Sequence, residues 1–174
     1  QLNSENEFYL KCCKQIMRVP MAAQEILIDY EKGKIPAYFS EPESNKSVGV
    51  IVVSAIFGVD DDTKKFCDML AGSGFPAMAL NMFWQDDTDS GPLTGDEHER
   101  AKARSIRVDR KDGNAYIEAA ISKMKSIKSC NGKVAIFGFC YGGPYVVEAA
   151  ARHGIDGGVV FHGSYIENFL LFKI

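Results

Sequence analysis

KVAIFGFCYGGPYVVEAAA, residues Lys133–Ala151, sets a cysteine between glycines, after an apolar run of strand character and before an apolar run of helical character. A G-x-nucleophile-x-G sequence between strand and helix forces its central residue into a tight, strained turn and lifts that side chain clear of the sheet edge. Gly138 and Gly142 lack the Cβ atoms that would collide there, and Gly143 lets the helix approach the sheet. Pro144 suits a first helical turn, where its missing N–H would be unpaired in any case. Cys140 is thereby expected at a helix N-terminus, whose dipole favours the thiolate, the nucleophilic form. The plain reading of a cysteine is a small buried hydrophobe. Five positions, Gly138, Cys140, Gly142, Gly143 and Pro144, agree instead on a nucleophile turn.

The flanking sequence supplies a sheet for that turn. ILIDY and IPAYF, joined by EKGK with Gly33 at the bend, predict an antiparallel hairpin. VGVIVVS, Val48–Ser54, is a β-branched run suited to a strand covered on both faces, and FPAMAL, Phe75–Leu80, is a second buried strand. Between them Phe66, Met69 and Leu70 recur at helical spacing behind Asp61, Asp62 and Thr63, which suit a helix N-terminus. Glu97–Arg110 is charge-dense and predicts a solvated helix, while Tyr116, Ala120, Met124 and Ile127 form one stripe of another. KVAIFG, GPYVVEAAA and GGVVFHG continue as strand, helix and strand. This alternation predicts a mostly parallel, doubly wound α/β sheet with an N-terminal antiparallel hairpin.

Composition narrows the function. The chain has 174 residues, 46% of them hydrophobic, enough for one domain with a core. Twenty basic and twenty-three acidic residues give a formal charge of -3, so no basic excess points to nucleic acid or anionic lipid. A small neutral or anionic metabolite is the expected partner. Cys12, Cys13, Cys67, Cys130 and Cys140 form no CxxC pair, which argues against a disulfide framework or a zinc site and for a reducing, cytoplasmic location. Residues 1–20 hold no apolar run of signal or membrane-spanning length. They are expected to be an extension preceding a native start at Met21, with residues 21–174 forming the domain.

Acyl transfer also needs donors for the oxyanion. One backbone N–H comes from the residue after the nucleophile, here Tyr141. The other comes from the loop after the earlier central strand, SAIFG, here Ile56, with Gly58 giving the loop its freedom to bend.

VVSAIFGV, GDEHERAKA, NGKVAIFGFCYGG and GGVVFHGSYIEN occur in the order and spacing of the dienelactone hydrolases, and the chain resembles that family from about Met21 to about Asn168. The resemblance implies an α/β-hydrolase fold and a hydrolase of small lactones or carboxylic esters, needing neither metal nor organic cofactor. It implies Cys140 as nucleophile, with Ile56 and Tyr141 carrying the oxyanion-hole N–H groups. Family members with the best described lactone activity have a glutamate before the IFG loop that pairs with the nucleophile, where this chain has Ala55. The family's triad Asp and His follow later strands, so they are expected beyond Ile174, as are the C-terminal strands. Little turnover is expected of the chain as it stands. The alternative is a non-catalytic or truncated relative that keeps the scaffold as a binding module.

Other candidates read as structural. His162 closes a strand on the side where catalytic groups gather in α/β sheets, but a polar residue hydrogen-bonded to a loop is the commoner case. His153 reads as a cation at a helix end and His98 as part of a solvated face. Asp86, Asp87 and Asp89 lack calcium-loop spacing and read as a solvated loop. Phe83 and Trp84 either wall a pocket or cover the core edge. Cys67 reads as packing and Cys130 as incidental, and GFCYGG lacks the order of a phosphate-binding loop.

Overall fold

A computed structural model describes residues 22–43, 46–164 and 166. The expected extension and Met21 lie outside the described residues. Strands β1 (Ala22–Tyr30) and β2 (Gly33–Glu41) form the hairpin, closing on the pair Tyr30 and Gly33, with Gly33 at φ +147°. Then come β3 (Ser47–Val53), helix α1 (Asp61–Gly72) and β4 (Ala77–Leu80). Helices α2 (His98–Arg107) and α3 (Arg110–Ser126) follow. Strand β5 (Cys130–Phe139), helix α4 (Gly143–Arg152) and strand β6 (Gly157–Phe161) complete the order.

Among the described residues the strands make one sheet in the order β1-β2-β4-β3-β5-β6. The hairpin joins antiparallel to β4, whereas β4, β3, β5 and β6 run parallel. Helices cover both faces, as the alternating sequence predicts. On one face Cys67 of α1 packs with Val50, Val52, Ala77 and Ala79. On the other, Tyr116, Ile117 and Met124 of α3 and Val146 of α4 pack on Ile51, Val53 and Ile136. Two-sided burial explains why β3 reads as a continuous β-branched run rather than an alternating one. Residues Ile51, Val52 and Val53 are fully buried.

Local chemistry sets the helix starts. Asp60 caps α1 by accepting from the N–H and hydroxyl of Thr63 at 2.8 and 2.7 Å. Asp109 caps α3 by accepting from the N–H groups of Lys111 and Asp112. The charge-dense segment predicted as one helix over Glu97–Arg110 is therefore split, because Val108 leaves helical geometry and Asp109 opens the next helix. Nor is it simply solvated, since Ala101 and Arg104 are fully buried.

Two further expectations are corrected here. Asp86 and Asp89 are not a solvated loop: both side chains are buried, and they pair with Arg107 and Arg100 of α2. Cys130 is not incidental, because it is buried in the main core and its thiol faces the Lys133 carbonyl at 3.4 Å. Cys67 is core packing, and burial pushes its thiol up to about 12. Phe83 is buried in the core, while Trp84 packs edge-on against Tyr30 and Tyr116, so both belong to the core and its edge.

Candidate active site

The strand order reverses direction on either side of β3: the chain steps from β3 to β4 on one side and later to β5 on the other. Loops leaving the carboxyl ends of strands on the two sides of such a point diverge and leave a crevice between them. Ile56 follows β3 and Cys140 follows β5, so the two residues flank that opening.

Cys140 has φ +49°, in the left-handed region that non-glycine residues rarely adopt. Its surroundings enforce this. A Cβ on Gly138 would lie 2.5 Å from the Gly142 carbonyl oxygen, and one on Gly142 would lie 2.2 Å from the Val53 carbonyl oxygen. The turn is thus packed backbone against backbone, between β5, α4 and the end of β3. Cys140 through Gly142 form a single 3-10 turn leading into α4, with Pro144 in its first turn. The Cys140 thiol is partly exposed, and its Sγ lies 3.2 Å from Ser164 Oγ.

A cavity of about 420 Å³ opens over the sulfur. Cys140, Ile56 and Ser164 meet there, and Tyr141, Pro144 and Tyr145 contribute the wall from the α4 side. His98, Lys102, Ser105 and Ile106 border it from α2, and Arg110 from the start of α3. No carboxylate lines it among the described residues. All three residues expected at the site, Cys140, Tyr141 and Ile56, therefore border one cavity. The Tyr141 and Tyr145 hydroxyls are 3.0 Å apart, and burial pushes both phenols above their ordinary range, so this wall carries no charge near neutral pH.

Two residues read from sequence as a solvated helix hold or border this cavity. Arg104 is fully buried, donates from Nη2 and Nε to the Ile56 carbonyl at 2.9 and 3.2 Å, and reaches the Asp89 and Gly91 carbonyls through Nη1. Its guanidinium lies 4.1 Å from the centre of the Phe83 ring, which packs in turn on Tyr141. Burial pulls the Arg104 guanidinium below its ordinary value, with Asp89 and Asp86 acting the other way. The SAIFG loop is further held by Leu93 N–H donating to the Phe57 carbonyl at 2.9 Å. A Cβ on Gly58 would stand 2.9 Å from Arg104 Nη2, so the loop's glycine makes room for the arginine.

His98 is exposed, as expected of a solvated face, and also borders the cavity, with Nδ1 3.3 Å from Glu99 Oε1. His162 is exposed at φ +54° and does not line the cavity, and His153 caps the C-terminus of α4. Behind the site, the buried Glu148 accepts from Arg110 and Asn114 and ties α4 to α3. Among the described residues no cluster of side chains could hold a metal ion. No helix there is long and apolar enough to cross a membrane.

The chain is 26% identical over 137 residues to carboxymethylenebutenolidase 1 of Cupriavidus pinatubonensis, covering 78% of this chain and 58% of that protein. It is 30% identical over 122 residues to a carboxymethylenebutenolidase of a Pseudomonas species, covering 69% of this chain and 51% of the relative. It thus spans little more than half the length of these relatives. A solved dienelactone hydrolase-like promiscuous phosphotriesterase from metagenomic libraries superposes with a TM-score of 0.66 at 28% identity, covering 83% of this chain and 60% of the other. A dienelactone hydrolase from Anabaena variabilis shares the fold, with a TM-score of 0.59 at 16% identity over 82% and 63% of the two chains. Residues 35–171 match the sequence profile of the dienelactone hydrolase family, and the chain belongs to that family.

Proposed function

We propose that this chain carries the nucleophilic half of a hydrolase that cleaves small lactones or carboxylic esters. The observation that supports this best is Cys140 itself, held at φ +49° with its sulfur partly exposed at a cavity shared with Ile56 and Tyr141. A turn that strained persists only where its surroundings over-determine it, and such turns cluster at functional sites.

In this reading the Cys140 thiolate attacks the carbonyl carbon of the substrate. The new C–S bond forms as the carbonyl π electrons move to oxygen, and the N–H groups of Tyr141 and Ile56 stabilise that oxyanion. Collapse of the tetrahedral species breaks the C–O bond and releases the alkoxide, which takes up a proton. Water then attacks the thioester, giving the carboxylic acid and free thiol. The base for that step and its carboxylate partner are those the family resemblance places after Ile174. Arg104 supports the reading by fixing the Ile56 loop. Lys102 at the cavity border favours an acyl substrate bearing negative charge.

Mixing the chain with an activated acetate ester and examining it by peptide mass spectrometry tests the first half-reaction alone. An acetyl group is expected on Cys140, and none on the corresponding peptide of the Cys140→Ala variant. Lys102→Gln should weaken acylation by a carboxylate-bearing ester more than by a neutral one. Acylation that survives Cys140→Ala unchanged overturns the reading.

A further inference from the structure

We propose that Ser164 is a positioning residue for Cys140, its hydroxyl donating to the sulfur and holding the thiolate for attack. This rests on Cys140 being the nucleophile. Ser164 grips Cys140 twice: its N–H donates to the Cys140 carbonyl at 3.2 Å, and its Oγ lies 3.2 Å from Sγ. Backbone and side chain of the strained residue are thus held by one partner, 24 positions away in the chain.

The fold brings Ser164 there by a specific route. At the end of β6, His162 takes up φ +54° and turns the chain back toward α4. Gly163 follows, and a Cβ on Gly143 would stand 2.8 Å from the Gly163 Cα, so the two backbones approach as closely as glycine allows. Ser164 is the next residue, at the cavity, where it and Cys140 are both lining groups.

The chemistry gives this contact a direction. While the sulfur keeps its proton, either atom can donate. Once the proton leaves, only the serine hydroxyl has one to give, and a hydrogen bond to a charged acceptor is the stronger kind. No carboxylate lines the cavity among the described residues, so this hydroxyl supplies hydrogen-bonding stabilisation that a carboxylate could not give to an ionised sulfur.

Two opposing effects follow. A hydroxyl that donates only to the charged form of its partner favours that form, by about tenfold for one charge-assisted bond. It also makes each ionised sulfur less nucleophilic, by roughly half that factor on a logarithmic scale. Removing it should slow Cys140 about threefold where the thiol is mostly protonated, and speed it about threefold where ionisation is complete. Damaged packing would instead change the rate by one factor at every pH.

The test is iodoacetamide alkylation of the folded chain across pH, followed at Cys140 by peptide mass spectrometry, for the wild type, Ser164→Ala and Ser164→Thr. The crossing profile is expected for Ser164→Ala, with Ser164→Thr, which keeps the hydroxyl, following the wild type. An alanine profile that superimposes on the wild type, or is displaced by one factor throughout, overturns the role of Ser164 and leaves the nucleophile reading standing. Where the thiol is mostly protonated, a wild-type Cys140 alkylated no faster than the same residue in urea-unfolded chain overturns both. Should the alanine variant not fold, the threonine variant still decides, because a profile unlike the wild type overturns the proposal.

Discussion

The guanidinium of Arg104 and the carbonyl of Ile56 are joined by two hydrogen bonds, at 2.9 and 3.2 Å, inside a site from which water is excluded around the arginine. A buried cation is retained only when its donors are satisfied, and here three carbonyls, of Ile56, Asp89 and Gly91, do so while Phe83 covers one face. The arginine therefore fixes one wall of the Cys140 cavity to the segment of residues 89–91 that precedes α2.

Removing that cation should break both at once. Arg104→Ala leaves three carbonyls without their donor and a void beside Phe83, and is expected to cost about 3–5 kcal/mol in urea unfolding. Arg104→Lys, with a single ammonium in place of a planar fork, should recover only part of it. A loss under about 1 kcal/mol for the alanine variant would show that the loop is held by something else.

The glycines of the turn give a sharper contrast. A Cβ on Gly142 would lie 2.2 Å from the Val53 carbonyl oxygen, a backbone atom that cannot rotate away, whereas one on Gly91 meets nothing within 4 Å. Gly142→Ala should cost about 3 kcal/mol or more by prying β5 from β3, and Gly91→Ala should stay within about 0.5 kcal/mol. Urea titrations of the two variants side by side check this.

Much of this architecture is legible in short windows of the sequence. The β-branched run of β3, the hairpin bend at Gly33 and the glycine spacing around Cys140 are local signals, each fixed by sterics within a few residues. What escapes such a reading is contact at a distance. Arg104 looks like one more charge on a solvated helix because its acceptors lie 13, 15 and 48 residues away, and nothing in the pattern ERAKARSIR marks it from Arg100 or Arg107. Asp86 and Asp89 misread for the same reason, their partners lying across a loop on α2. Ser164 carried no signal at all, since its place beside Cys140 depends on how β6 lies against β5.

Asp86 provides a pH test of that loop. Its buried carboxylate accepts from Arg107 Nε at 2.7 Å and from the N–H groups of Asp89 and Thr88. The Arg107 hydrogen bond leads in lowering the carboxyl from 3.8 to about 2. A folded-state value below the unfolded one contributes stability that is fully present above pH 4 and is lost as pH falls toward 2. Asp86→Asn should therefore melt below the wild type at pH 7, and the gap should narrow between pH 4 and pH 2. A gap that does not change across that window would show that the carboxylate adds nothing to folding.

His98 tests the base. It borders the cavity, yet it is exposed and its Nδ1 faces Glu99 at 3.3 Å. His98→Ala is expected to leave the acetylation rate of Cys140 within about twofold, as fits a border residue rather than a proton acceptor. Mass-spectrometric time courses of the acetylated peptide measure it. A loss beyond about tenfold would instead make this histidine the base of the acylation step.

The strain at Cys140 can be separated from its sulfur by comparing two variants that both lack the thiol. At φ +49° a Cβ is unfavourable by about 1 kcal/mol, and glycine avoids that cost. Glycine's extra freedom in the unfolded chain takes back about half of that, so Cys140→Gly should be more stable than Cys140→Ala by about 0.5 kcal/mol. Both variants lose the Ser164 contact equally, so the difference reports the backbone alone. A glycine variant less stable than the alanine variant by about 0.5 kcal/mol or more in urea unfolding would show an unstrained turn, and with it the loss of the best support for reading position 140 as a site maintained at the expense of stability.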